Sequence, residues 1–325
     1  FAAMPAPEPL KSRPAESRLW VLRWAWGGGL DMFLSKIRGL FDGGQRDRYF
    51  ANDLETAVNE EGLRRIREAR AAFDATEIDV GLRQSYELTQ SSSLPGVKFD
   101  AAAFEKIRLR AIAALADASL SPCSFLHGNQ AERQGIPRSV ITHDVRRYTS
   151  DVASIIPDVM TLFNPEIVRA IQSSIGSNFM IEDVFLTRNY HVEPEINSKY
   201  EILSDRWHFD HQYPDGFSLF VCLSSVTEAD GPFHLISAED SRTALNRGFN
   251  PSLRKESPNG GLRPEDFKQL PSYAYLAGPP GAMMLCHTSY CLHRAGVPDV
   301  GHIRDMMIFT FRPSIKMDLA WPKIQ

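Results

Sequence analysis

Cysteine is scarce in this chain: four residues in 325, at positions 123, 222, 286 and 291, with no Cys-x-x-Cys pair. That spacing offers neither a disulfide framework nor a thiolate zinc site, so reduced thiols and a cytoplasmic setting are expected. Long apolar runs are also missing, and none reaches the ~18–20 residues needed to cross a bilayer. Nor is there an excess of basic charge. Lys and Arg total 36 against 40 Asp and Glu, a formal net charge of −4, which argues against DNA or RNA as the principal partner. A nucleotide-phosphate loop is likewise absent, and this counts mildly against an acyl-CoA substrate.

What the chain does have is enough apolar residue, 43%, to bury a substantial core. The expected organisation is an N-terminal aromatic and basic arm over 1–50 and a single catalytic domain over 51–325. Residues 18–41 hold three of the five tryptophans among several basic residues, a composition that suits peripheral contact with a membrane surface. The three glycines at 27–29 interrupt any continuous helix there, and the same segment also reads as an arm packing over the core or onto a dimer partner. Nothing in the sequence fixes an oligomeric state.

Hydrophobic periodicity divides the catalytic domain in two. From about 52 to 73, Leu54, Val58, Leu63, Ile66 and Ala69 recur near helical spacing, and an Ala-rich segment over 101–119 reads as a second helix. Asn164-Pro165-Glu166 supplies an N-cap, a proline at the first helical position and an acidic first turn, and the helix it starts should stop at Gly176. Beyond Phe179 the pattern changes to strands at 180–190, 217–223, 233–236, 282–286 and 306–311. Helices over about 51–177 followed by many short strands over about 178–313 predict an α+β, mainly β fold: a double-stranded β-helix, or cupin-like jelly roll, with the helices packed on one sheet. The polar stretch 238–272 reads as a long loop and a candidate lid.

The chemistry-bearing residues fall in the strand region. In Trp207-His208-Phe209-Asp210 the imidazole and the carboxylate are two residues apart, so a strand presents them on one face. His293 is the best third ligand, because the turn-rich segment between it and Arg304 can fold one strand back beside the other. Two imidazoles and one carboxylate on one side of an ion suit non-heme Fe(II), leaving positions open for a co-substrate and O2. Arg304 then suits the far carboxylate of a dicarboxylic acid such as 2-oxoglutarate. His191-Val192-Glu193 has the same spacing, but it is followed by Pro194 and a polar stretch rather than a buried strand. His127, His143, His234, His287 and His302 read as surface or satisfied core residues, and His211 points to the opposite strand face. Trp207 reads either as a wall of the pocket or as core, and Arg304 has the alternative of an ion pair with Asp299 or Asp305.

The Trp-His-Phe-Asp run at 207–210, Ala-Asp-Gly-Pro-Phe at 229–233, His-Arg-Ala-Gly at 293–296 and Arg304 together resemble the phytanoyl-CoA dioxygenase-like family of Fe(II)/2-oxoglutarate-dependent oxygenases. The resemblance covers roughly residues 180–313. It implies a jelly-roll dioxygenase that couples oxidative decarboxylation of 2-oxoglutarate, with release of succinate and CO2, to hydroxylation or another oxidation of an unactivated C–H bond. Related halogenases replace the metal-binding carboxylate with a small residue, so Asp210 argues against chlorination. Members of the family also supply a second polar contact to the co-substrate, for which Ser224 and Thr288 are candidates, with Thr187 and Asn189 as further pocket residues beside Trp207. The implied substrate is a polar small molecule or a glycan- or lipid-linked one. Two other readings of the same residues are a jelly-roll metal protein with different chemistry, such as a cupin-type isomerase or a zinc hydrolase, and a non-catalytic binding module.

Overall fold

The computed structural model describes residues 53–73, 79–117, 146–149, 152–193, 207–210, 216–249, 269–271 and 273–320. All of them lie within the unit Gly43–Gln325. The N-terminal arm with its segment 18–41, Cys123, His127, His143, His211 and most of the expected lid lie outside the described residues.

The helical part comes first, as periodicity predicts. Helix α1 spans Asp53–Ala71, α2 Val80–Thr89, α3 Ala101–Ala116, the single turn α4 Val152–Ile155, and α5 Pro165–Ile175. Sequence reading gave no helix at α2, which is only ten residues long and starts from Asp79, whose side chain accepts the Leu82 N–H. Helix α5 carries the signals expected of it. Asn164 accepts from Ile167 N, Pro165 opens the helix, and Gly176 closes it in the left-handed region at φ 65°. Ile167, Ala170, Ile171 and Ile175 form the stripe that α5 buries.

Among the described residues nine strands follow or interleave: β1 Ser91–Ser92, β2 Arg146–Thr149, β3 Asn178–Tyr190, β4 Phe217–Cys222, β5 Phe233–Leu235, β6 Ala274–Leu276, β7 Met283–Cys286, β8 His293–Ala295 and β9 Ile303–Ser314. They form a six-stranded sheet ordered β1-β7-β4-β9-β3-β2 and a three-stranded sheet ordered β6-β5-β8. After β4 the chain crosses to the small sheet for β5 and β6, returns for β7, crosses again for β8 and returns for β9. This alternate winding between two facing antiparallel sheets is the expected double-stranded β-helix. His208 adds a further rung to the small sheet through an antiparallel bridge with His293.

Strand parity sorts the side chains into separate cores. One face of the large sheet, with Val184, Met307, Phe309 and Phe311, packs on α2, α3 and α5 through Tyr86, Ile107 and Ile171. Its other face, with Phe220, Met284, Met306 and Ile308, meets Phe233, Leu235 and Leu276 of the small sheet to fill the barrel. A third cluster lies behind the small sheet, where Trp207, Ile236 and Leu292 meet Ala244. Ala244 belongs to α6, Ala238–Asn246, capped by Ser237 through the Asp240 N–H. The stretch 238–272, expected to be a loop throughout, therefore begins with a helix; a cap, two acidic residues in the first turn and one buried face suffice to form it. Among the described residues no helix is long and apolar enough to cross a membrane.

The two glycine-containing motifs meet at the barrel wall. A Cβ on Gly296 would lie 2.6 Å from the Pro232 carbonyl oxygen, and one on Gly231, at φ +62°, would lie 2.5 Å from Pro298 N. Backbone approaches backbone here, and only glycine leaves room.

Candidate metal centre

His208, Asp210 and His293 converge. Each offers one ligand atom, and the three atoms lie within 4.8 Å of one another; they are the group of three or more His, Cys, Asp or Glu side chains that meets this condition among the described residues. His208 Nε2 is 3.6 Å and His293 Nε2 3.4 Å from Asp210 Oδ1. Ligands about 2.1 Å from a shared ion stand roughly 3.0–3.4 Å apart, so these separations suit a small transition-metal ion after slight contraction.

Backbone pairing sets this geometry. His208 N donates to His293 O and His293 N to His208 O, both at 3.0 Å, which locks the two histidines opposite each other, and their rings lie 4.3 Å apart. Asp210 N donates to Thr288 O at 3.1 Å, bringing the carboxylate into line with the imidazoles. His293 Nδ1 is 3.0 Å from Cys291 O, an acceptor only, so Nδ1 keeps a proton and Nε2 is the nitrogen turned to the centre. Burial alone would raise the Asp210 carboxyl. The two imidazoles outweigh it, His293 foremost, and hold the group well below the usual carboxylate range. The donor set is therefore ready to take a divalent cation: an ionised carboxylate and a directed imidazole, with a second imidazole alongside.

Arg304 sits on β9 with 2% exposure, on the barrel-facing parity of Met306 and Ile308. Its Nη1 donates to Gly296 O at 3.2 Å, which ties it to the strand end just beyond His293. The alternative role in an ion pair with Asp305 is taken by Arg188, whose Nε and Nη2 each contact that carboxylate at 2.7 Å. Asn189 stands directly opposite Arg304, and Thr187 opposite Met306; both are buried on the same interior face. Thr288 is fully buried beside Asp210. Ser224 lies past the end of β4, where its Oγ accepts from Asp305 N at 3.3 Å.

Trp207 is a correction. Its parity is opposite to that of His208, and it packs behind the small sheet with Ile236 and Phe249 instead of lining the barrel. The rival His191 and Glu193 stand 3.6 Å apart with no third ligand among the described residues, and His191 Nδ1 is bonded to Pro298 O at 2.8 Å. Two contributors escaped the sequence entirely, the carbonyls of Cys291 and Thr288. They act through main-chain atoms, which every residue has, so no side-chain pattern could mark them.

No protein-family model matches the chain, and no curated protein matches it. Several solved structures are similar in part. EctD from S. alaskensis with 2-oxoglutarate and 5-hydroxyectoine shares 12% identity over 74% of this chain and 77% of its own, with a TM-score of 0.47. The nickel complex of the non-heme monooxygenase ThoJ shares 13% over 71% and 77%, with a TM-score of 0.41. HygX from Streptomyces hygroscopicus with nickel and 2-oxoglutarate shares 13% over 72% and 87%, with a TM-score of 0.40.

Proposed function

We propose that this chain is an Fe(II)- and 2-oxoglutarate-dependent dioxygenase, of the phytanoyl-CoA dioxygenase-like kind, that hydroxylates or otherwise oxidises an unactivated C–H bond of a polar small molecule or a glycan- or lipid-linked one. The observation that carries the reading is the meeting of His208, Asp210 and His293 in a barrel whose interior also holds the buried Arg304. Ferrous iron, 2-oxoglutarate and O2 together supply the oxidising power when bound, and succinate and CO2 are released.

The residues divide that work. His208, Asp210 and His293 hold the ion from one side. Arg304 offers a planar fork for the far carboxylate of the diacid, and a buried guanidinium keeps its charge at every working pH. Asn189 and Thr187 are placed to add hydrogen bonds from β3, with Thr288 and Ser224 as further contacts. Phe220, Phe233, Met306 and Ile308 line the same space and exclude water from it; Phe220 and Phe233 stack at 4.1 Å between the two sheets. Asp210 supports hydroxylation over halogen transfer.

The test is anaerobic addition of Fe(II) and then 2-oxoglutarate to the purified protein. A visible metal-to-ligand charge-transfer band should appear only when both are present, and admitting O2 should release succinate. Bound iron without that band would overturn the assignment and favour a jelly-roll metal protein with other chemistry.

A further inference from the structure

Besides the Asn189–Arg304 pair, the barrel-facing side of the large sheet carries a second polar row at its other end. Ser91 of β1 pairs with Cys286 of β7, Cys286 with Ser218 of β4, Ser218 with Thr310 of β9, and Thr310 with Asp183 of β3. Paired residues share a face, so five small or polar side chains cross five strands at one level. The next row inward is apolar: Met284, Phe220, Ile308 and Phe185. The polar row begins beside the metal centre, since Thr288, two residues after Cys286, accepts the Asp210 N–H at 3.1 Å. It ends at a carboxylate three strand spacings from Cys286, roughly 14 Å along the sheet.

That carboxylate has unusual surroundings. Asp183 follows a bulge in β3, where the register shifts between Ile181 and Asp183. Its Oδ1 accepts the Val184 N–H at 2.8 Å, and its carbonyl receives the Thr310 hydroxyl at 3.4 Å. The side chain is half-buried, and no cation pairs with it among the described residues. Burial raises its carboxyl, and the Val184 N–H offsets this only in part. A half-buried carboxylate without a cation is an electrostatic deficit that an incoming ammonium would remove. The hydroxyls of Ser218 and Thr310 lie between it and the metal side, where they can meet hydroxyl groups of the same ligand.

We propose that this row is the substrate floor, and that Asp183 anchors a protonated amine of a hydroxyl-bearing small molecule whose oxidised carbon lies at the other end of the row. The inference rests on the dioxygenase reading and narrows its substrate to an amino-alcohol or amino-sugar class.

Holding the bulge is the competing role for Asp183, and Asp183→Asn separates the two. The amide oxygen still accepts from Val184 N while the charge is lost. The protein is loaded with redox-inert Ni(II) and 2-oxoglutarate, and matched probes are titrated calorimetrically: glucosamine against glucose, and 4-aminocyclohexanol against 1,4-cyclohexanediol. The wild type should prefer each amine by roughly tenfold, as a charged hydrogen bond warrants, and D183N should lose that preference while binding Ni(II) as tightly as the wild type. Ser218→Ala should weaken both members of each pair alike. Absence of an amine preference in the wild type, or its persistence in D183N, overturns the proposal. Failure of the wild type to bind Ni(II) strikes the dioxygenase reading itself, so the two failures are distinguishable.

Discussion

The Arg294 guanidinium carbon lies 5.1 Å from the centroid of the Trp207 ring. Trp207 precedes one candidate ligand histidine and Arg294 follows the other, so this contact joins the two segments on the face opposite the candidate metal centre. Arg294 Nε donates to His234 Nδ1 at 3.1 Å, and the Tyr273 hydroxyl lies 3.0 Å from the same nitrogen, extending the latch to β5.

A latch of this kind holds the ligand strands in register, so Arg294→Gln should weaken metal binding by about tenfold, in the range of other residues that support metal ligands from behind. The stability loss should be smaller, on the order of 1 kcal/mol for a half-exposed cation–π contact. Ni(II) calorimetry beside urea unfolding reads both, and unchanged Ni(II) affinity would show that the contact is packing alone.

Removing a ligand should act differently from removing the anion anchor. His208→Ala or Asp210→Ala should abolish Fe(II) binding and succinate formation together. Arg304→Ala should leave the metal bound and chiefly raise the KM for 2-oxoglutarate, because it removes binding shared by ground and transition states. A drop in kcat alone for Arg304→Ala would contradict the role given to that guanidinium.

The glycine contact at the barrel wall predicts a steric penalty. Gly296→Ala forces a methyl against the Pro232 carbonyl oxygen and the Gly231 backbone, which cannot swing away as a flexible side chain would. Destabilisation of about 1–3 kcal/mol is expected from such overpacking, measured by urea unfolding at constant m-value. The same substitution at Gly301, where nothing lies within 4 Å of an added Cβ, carries only the strain of its positive φ.

The thiols of Cys222 and Cys286 should be silent. Burial, moderated by Arg304, pushes Cys222 up to about 12, and burial holds Cys286 well above the ordinary thiol value, with Cys291 and Asp210 adding to it. A raised thiol pKa leaves the neutral form at pH 8, and the thiolate is the nucleophile. Iodoacetamide at pH 8 should therefore leave both unmodified in the folded protein and alkylate both after unfolding, as mass spectrometry would show.

Local rules were enough for some of this. The i, i+2 spacing of His208 and Asp210, the turn-rich stretch before Arg304 and the capping signals of α5 each depend on a few neighbouring residues, and each is legible in the text of the chain. Helix α2 was not, because ten residues give too short a period to read and α2 takes its place by packing Tyr86 into the core beside α5. Trp207 was ambiguous for a related reason. Strand parity says that it faces away from His208, but which face is the barrel depends on where the second sheet lies.

The amino-acid order thus determined the donor chemistry, the strand-rich C-terminal half and the turn residues, since those follow from side-chain identity and period. Tertiary structure decided that His293 stands opposite His208, that Cys291 and Thr288 orient the ligands through their carbonyls, and that Asp183 closes a polar row. Each of these joins segments tens of residues apart, and their register is set by backbone pairing and burial, which no local stretch encodes.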